Sequence, residues 1–153
     1  MPVKNIDSLE YQDWYDGLDA NPLIRWYQRN IKFKFLMPIF KYLKKDSTIL
    51  DIGCARGEFL QRLYKLGYRN LSGMDIANAL RPEIADKICF FEESITSPSF
   101  LDIERPKFDI LVIQGVLHHL PYGELSNCVK NIAGITKTEK DSSCAGGGGT
   151  VCV

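Results

Sequence analysis

The chain has 153 residues, of which 45% are apolar and 25% are charged, and its 19 basic and 19 acidic side chains cancel. These values fit one globular domain of ordinary size. A chain without net charge has no overall field for polyanions, so we expect no nucleic-acid partner. No stretch reaches the roughly 18 apolar residues of a membrane span. Five cysteines without a CxxC pair favour reduced thiols, a cytoplasmic protein and no metal site.

Residues 1–45 have the pattern of a helical segment, which we interpret as a lid. Asn21 followed by Pro22 is typical of a helix start. Pro38 is expected to kink or split the helix. Lysines such as Lys32 and Lys34 are expected to face solvent. Apolar residues recur at helical spacing, which predicts one apolar face made of Ile24, Tyr27, Ile31, Phe35, Ile39 and Tyr42.

Residues 46–135 alternate between strand and helix patterns. Short apolar runs at 48–52, 71–76, 88–91 and 108–113 predict strands, and helical spacing covers 57–66 and, with interruptions, 117–132. This alternation predicts an α/β fold, a Rossmann-like three-layer sandwich with a mainly parallel sheet. Residues 136–153 include four consecutive glycines and are expected to be a flexible or truncated end, with 150–153 a candidate fifth strand.

The turn after the first predicted strand has the composition of a cofactor loop. Gly53 and Gly57 lack a Cβ, so a ligand can approach the backbone there, close to the positive end of the next helix. Asp75 ends the second predicted strand, where a carboxylate can accept hydrogen bonds from both hydroxyls of a ribose. Asp51 is placed to receive an ammonium group, directly or through water. These residues predict a nucleoside site at the ends of the strands.

The segment Asp51-x-Gly53-x-Ala55-x-Gly57 resembles the first motif of class I S-adenosylmethionine (SAM)-dependent methyltransferases, D/E-x-G-x-G-x-G, with alanine at the middle glycine. Asp75-Ile76 fits the second motif, and residues 108–121 resemble the fourth strand and following turn of small-molecule methyltransferases. The resemblance implies SAM as cofactor and S-adenosylhomocysteine as product. It places cofactor contacts at Asp51, Gly53, Cys54, Ala55, Gly57, Asp75, Ile76, Ser94, Ile95 and Gln114, with Glu93 able to substitute for Ser94.

The same resemblance implies methyl transfer to a small-molecule or lipid-like acceptor. The turn at residues 114–117 lacks the Asn/Asp-Pro-Pro-Tyr motif that the family uses on planar amino groups. His118 is the candidate general base, because imidazole titrates near neutrality. A structural role is the competing interpretation for His118 and His119. Adjacent histidines on a helix are expected to point in different directions.

Two other functions remain open at this point. The family sheet has seven strands and this chain supplies at most five, so a truncated or non-catalytic SAM-binding module is one alternative. A nicotinamide-dependent oxidoreductase is the other. Its G-x-G-x-x-G pattern would place Ala55 and Glu58 at the second and third glycines, which disfavours it.

Overall fold

The computed structural model describes residues 8–102, 104–138 and 150–152. Within them, one parallel sheet has the strand order β3-β2-β1-β4-β5. The strands are β1 Ile49–Ile52, β2 Leu71–Asp75, β3 Cys89–Glu92, β4 Ile110–Ile113 and β5 Thr150–Cys152. This topology confirms the predicted α/β fold and the fifth strand. β2 and β4 lie on opposite sides of β1. In open parallel sheets this arrangement forms a crevice for ligands at the carboxyl end of the central strand.

The helices of the described residues are α1 Ser8–Ala20, α2 Pro22–Asn30, α3 Met37–Phe40, α4 Glu58–Lys65, α5 Pro82–Ala85 and α6 Leu125–Ile135. The pattern at 117–132 predicted one interrupted helix. The structure has two 3-10 turns, Leu117–His119 and Tyr122–Glu124, before α6 begins. Pro121, which cannot continue a helix, separates the two turns. Among the described residues, no helix is long and apolar enough to cross a membrane.

Side chains of the central strands alternate between two apolar clusters, one on each face of the sheet. Ile49 belongs to the first cluster and Leu50 to the second, and the same alternation separates Ile110 from Leu111. This is the two-residue period of a strand buried on both faces. The first face is covered by α4 and by the chain around Phe33 and Phe40, and the second by α6. Asp51 follows the alternation of Ile49 and therefore lies on the first face.

The predicted cap of α2 is confirmed, because Asn21 Oδ1 accepts hydrogen bonds from the amides of Leu23 at 2.9 Å and Ile24 at 3.3 Å. The predicted apolar face is wrong. The helix ends at Asn30, a turn follows, and Pro38 lies in the first turn of a separate helix. This break shifts the helical phase, so Phe33 and Phe40 are buried instead. The exposed members of the predicted face are Tyr27, Phe35, Ile39 and Tyr42.

Candidate functional site

The loop of residues 51–57 turns sharply from β1 into α4 through left-handed backbone. The φ angles are 74° at Gly53, 50° at Ala55 and 76° at Gly57. A Cβ on Gly53 would lie 2.1 Å from Val116 Cγ2, and one on Gly57 would lie 2.9 Å from Ile84 Cγ2. Both glycines are therefore required by packing as well as by dihedral angle. Val116, which sequence analysis did not single out, presses on the loop from the chain beyond β4.

Ala55 occupies the middle glycine position in a conformation that glycine adopts more easily. It is the one non-glycine residue with positive φ in the described part of the chain. A left-handed conformation costs an ordinary residue roughly 1–2 kcal/mol. The Ala55 amide donates a hydrogen bond of 2.8 Å to Asp75 Oδ2, which offsets this cost. This hydrogen bond joins the loop to Asp75, the carboxylate that is predicted to bind the ribose.

Asp75 is buried at the end of β2 and held by two backbone amides. Its Oδ2 accepts from Ala55, and its Oδ1 accepts from Ile76 at 2.8 Å. A carboxylate offers about four acceptor positions, so two amides can fix its orientation without by themselves saturating it. Ile76 is 41% exposed, although every residue of β2 is buried. A fixed carboxylate beside an exposed apolar side chain matches the chemistry of a ribose joined to a base.

Asp51 lies near the carboxyl end of β1, with 5% of its surface exposed. The pKa of Asp51 is raised to about 8, mainly by burial. Of the charged groups that also act on it, the Lys32 ammonium lowers this pKa and the Asp75 and Glu58 carboxylates raise it. Burial therefore opposes the negative charge of Asp51, and two more acids add to the effect. A ligand that brings a positive charge to this position would stabilise the ionised form of Asp51.

Cys54 packs against the sheet and contributes no reactive thiolate. It is buried, and its Sγ lies 2.8 Å from where a Cβ on Gly73 would be. Burial raises the pKa of the Cys54 thiol, and the Asp51 and Asp75 carboxylates raise it further. The thiol is therefore neutral, and Gly73 makes the space that it fills.

The segment after β3 carries the residues predicted to contact adenine. Ser94 is half-buried, and its hydroxyl lies 2.9 Å from the Thr96 hydroxyl. Ile95 is buried in the second apolar cluster. Glu93, the alternative to Ser94, forms an ion pair with Arg105. The carboxylate of Glu93 is therefore already paired with a cation of the chain.

Asn131 of α6 holds this segment in place and was not identified from the sequence. The side chain is buried, and its Nδ2 donates to the carbonyls of Ile95 at 2.7 Å and Ser97 at 3.0 Å. The two bonds fix the backbone on both sides of Thr96. Asn131 lies 34 and 36 residues from these partners. Its only sequence signal was a polar side chain on the apolar face of α6.

Gln114 directly follows β4, and His118 lies in the 3-10 turn beyond it. The Gln114 Nε2 donates a 3.0 Å hydrogen bond to the Lys32 carbonyl, which joins the N-terminal segment to the end of β4. His118 is exposed, and its ring centroid lies 3.8 Å from that of His119. The expectation that the two rings diverge is therefore wrong. The two histidines lie in a 3-10 turn rather than in a regular α-helix, and their rings are close together with an angle of 42° between their planes.

The N-terminal helices contact the loop at a second place. Arg56, within the loop, forms an ion pair with Asp16 of α1, and its guanidinium lies 5.8 Å from the ring centroid of Tyr15. Lys32 was expected to face solvent but is half-buried at the crevice. Burial at this position was hard to predict from the sequence, because the buried neighbour of Lys32, Phe33, lies outside the predicted apolar face.

Comparisons with known proteins identify the family to which this chain belongs. Residues 12–139 match the protein family described as "Methyltransferase domain". The human EEF1A lysine methyltransferase 2 is 37% identical over 70 residues, which cover 43% of this chain and 25% of that protein. The mitochondrial rRNA methyltransferase 2 of Caenorhabditis elegans is 32% identical over 103 residues, covering 65% of this chain and 42% of that protein.

A solved structure with the same fold is the 1,6-didemethyltoxoflavin-N1-methyltransferase of Burkholderia thailandensis, which contains its substrate and S-adenosylhomocysteine. Its TM-score is 0.62 at 17% identity, over 90% of this chain and 60% of that chain. The chain thus spans well under two thirds of the length of the two curated relatives. Because the family match covers most of the sequence, the chain belongs to the methyltransferase domain family.

Proposed function

We propose that this chain binds SAM at the carboxyl end of β1 and takes part in methyl transfer from it to a small-molecule acceptor. One observation carries the proposal. Asp75 is buried at the end of β2, is oriented by the amides of Ala55 and Ile76, and lies against a loop with three left-handed residues. This arrangement offers a ribose two oriented carboxylate oxygens at the edge of a parallel sheet.

The surrounding residues fit the other parts of the cofactor. Exposed Ile76 offers an apolar surface to the adenine ring, and Ser94 is the proposed partner of the adenine amino group. Asp51, whose pKa is raised by burial, would be stabilised in its ionised form by the ammonium of the methionine tail. The comparison structure with bound S-adenosylhomocysteine has the same fold, which supports this choice of cofactor.

SAM supplies a methyl group that is already activated on a sulfonium. The residues of the chain then need to bind and orient the two reactants, and alignment of this kind can contribute roughly 7–11 kcal/mol. A base is required only if the acceptor must lose a proton. His118, exposed in the turn beyond β4, is the proposed base for such an acceptor.

The choice of a small-molecule acceptor is the finer part of the proposal. The names of the relatives refer to a protein lysine, an rRNA and a small molecule, so family membership alone does not select among them. The balanced charge of the chain favours a small molecule over RNA, because RNA binding draws on an excess of basic side chains.

A ligand panel tests the cofactor, and a turnover assay tests the activity. We expect SAM and S-adenosylhomocysteine to raise the unfolding temperature, since a ligand at 100 times its Kd stabilises a protein by about 2.7 kcal/mol. NAD and NADP are expected to have no effect. Release of S-adenosylhomocysteine should then depend on an added small-molecule acceptor. Stabilisation by NAD alone would contradict the proposal, and binding without turnover on any acceptor would favour a non-catalytic SAM-binding module.

A further inference from the structure

Lys32 lies in the turn after α2, next to the chain that follows β4 and next to α4. Its carbonyl accepts the hydrogen bond from Gln114, which directly follows β4. The next residue, Phe33, is buried against Phe59 of α4, with ring centroids 5.2 Å apart. The backbone around Lys32 is therefore fixed between the end of β4 and the start of α4, on the face of the sheet that Asp51 shares with Ile49.

The charges around this position are unevenly distributed. The carboxylates of Asp75 and Glu58 and the ammonium of Lys32 all act electrostatically on Asp51, and the effect of Lys32 is larger than that of either carboxylate. The methionine tail of SAM carries an ammonium and a carboxylate on the same carbon. An ammonium at Asp51 places the carboxylate a few ångströms away among acidic groups, where it would be repelled unless a cation faced it.

We propose that the Lys32 ammonium binds the carboxylate of the cofactor's methionine tail, so that Lys32 selects for ligands that carry this group. The inference rests on the proposed function, because it requires the nucleoside at Asp75 and the amino-acid tail near Asp51. Lys32 and Asp51 then form a matched pair of opposite charges for the two charged groups of the tail. In the structure the Lys32 ammonium lies 5.1 Å from the Phe33 ring centroid. Its flexible four-carbon stem allows it to turn from there toward the carboxylate.

The test compares SAM with decarboxylated SAM, which differs from it only by loss of the carboxylate. Titration calorimetry on the whole chain is expected to show SAM bound about 10- to 100-fold more tightly, as for one charge-assisted hydrogen bond. Lys32→Met is expected to remove this preference by weakening SAM while leaving the decarboxylated ligand unchanged. Lys32→Arg should retain most of the preference.

Lys34→Met is the matched control, because Lys34 is an exposed lysine two residues away. It should leave both affinities as in the wild type. If Lys32 has only a structural role, Lys32→Met should lower the affinities for SAM and for decarboxylated SAM equally. That result would overturn the inference about Lys32 but not the proposed function. Unchanged affinities for both ligands would have the same meaning. If the wild-type chain binds neither ligand, the proposed function fails as well.

Discussion

The two edges of the sheet each contain an aspartate, and the two aspartates have opposite electrostatic environments. At the carboxyl edge, burial raises the pKa of Asp51 to about 8. At the amino edge, partial burial would raise the pKa of Asp109, but hydrogen bonds from the Thr48 amide and hydroxyl and from Lys137 lower it overall. The three bonds to Asp109 Oδ2 measure 2.7, 2.7 and 2.9 Å.

The difference separates the amino edge, whose carboxylate is satisfied by the chain's own groups, from the carboxyl edge, where we propose that the ligand binds. The amino edge satisfies its carboxylate with groups of the chain itself, and these contacts join the starts of β1 and β4 to the chain after α6. The carboxyl edge contains several acidic groups, and its loop contains Ala55 in a strained left-handed conformation. Such local departures from low energy are concentrated at functional sites. Substitutions at the two edges should therefore have separable effects.

The largest expected effect is on ligand binding in Asp75→Ala. The variant loses the proposed ribose acceptor, and each charge-assisted hydrogen bond is worth about 1.5–3 kcal/mol, so affinity for S-adenosylhomocysteine should fall about 100-fold or more. Titration calorimetry measures the loss, and circular dichroism checks that the fold is retained. Unchanged affinity in the folded variant would refute the ribose assignment.

Asp109→Ala is the counterpart at the amino edge. It removes the acceptor of three hydrogen bonds, and we expect it to lower the free energy of unfolding by about 2 kcal/mol. Urea denaturation measures this loss. The variant should keep wild-type affinity for S-adenosylhomocysteine at a temperature where it is folded. A loss of affinity as large as that of Asp75→Ala would remove the distinction between the edges.

The pH dependence of stability should have opposite signs at the two aspartates. The folded protein keeps a proton on Asp51 that the unfolded chain releases above its ordinary pKa of 3.8. Its contribution is therefore lost as pH rises from about 4 to about 8. The loss is on the order of several kcal/mol, since the pKa shift spans about four units and one unit corresponds to about 1.4 kcal/mol. The contribution of Asp109 is instead present above its ordinary pKa of 3.8 and is lost in acid.

Asp51→Asn isolates the first of these effects, because asparagine is neutral throughout. Urea unfolding between pH 5 and 9 should show a decline for the wild type that is reduced in the variant. The charged groups that act on Asp51, namely Lys32, Asp75 and Glu58, are present in both proteins. Parallel pH profiles for the two proteins would show that burial of Asp51 does not have the proposed electrostatic effect.

The smallest expected effect is a gain in stability from Ala55→Gly. Glycine relieves the left-handed strain of Ala55, but it also makes the unfolded chain more flexible. The free energy of unfolding should therefore rise by about 0.5–1 kcal/mol. Gly67→Ala is the reverse control, because Gly67 has φ 98° and a Cβ there would meet nothing within 4 Å. Thermal unfolding should move in opposite directions for the two variants. A loss of stability in Ala55→Gly would contradict the strain at this loop.

The sequence predicts those parts of the fold that depend on local pattern. The strands appear as apolar runs, and the loop glycines and Asp75 follow from their positions at strand ends. Contacts between distant residues were not predictable in this way. Thr48 lies 61 residues from Asp109, and Val116 reaches Gly53 only because β4 pairs with β1. The burial of Phe33 was missed, because the break after Asn30 changes the helical phase.

A crystal structure of the chain with S-adenosylhomocysteine tests the central claim most directly. We expect the two ribose hydroxyls within hydrogen-bond distance of the Asp75 carboxylate, the adenine against Ile76, and the homocysteine tail along the loop toward Asp51. A ligand found elsewhere on the molecule, or a crevice above β1 filled by protein side chains at saturating ligand, would contradict the account.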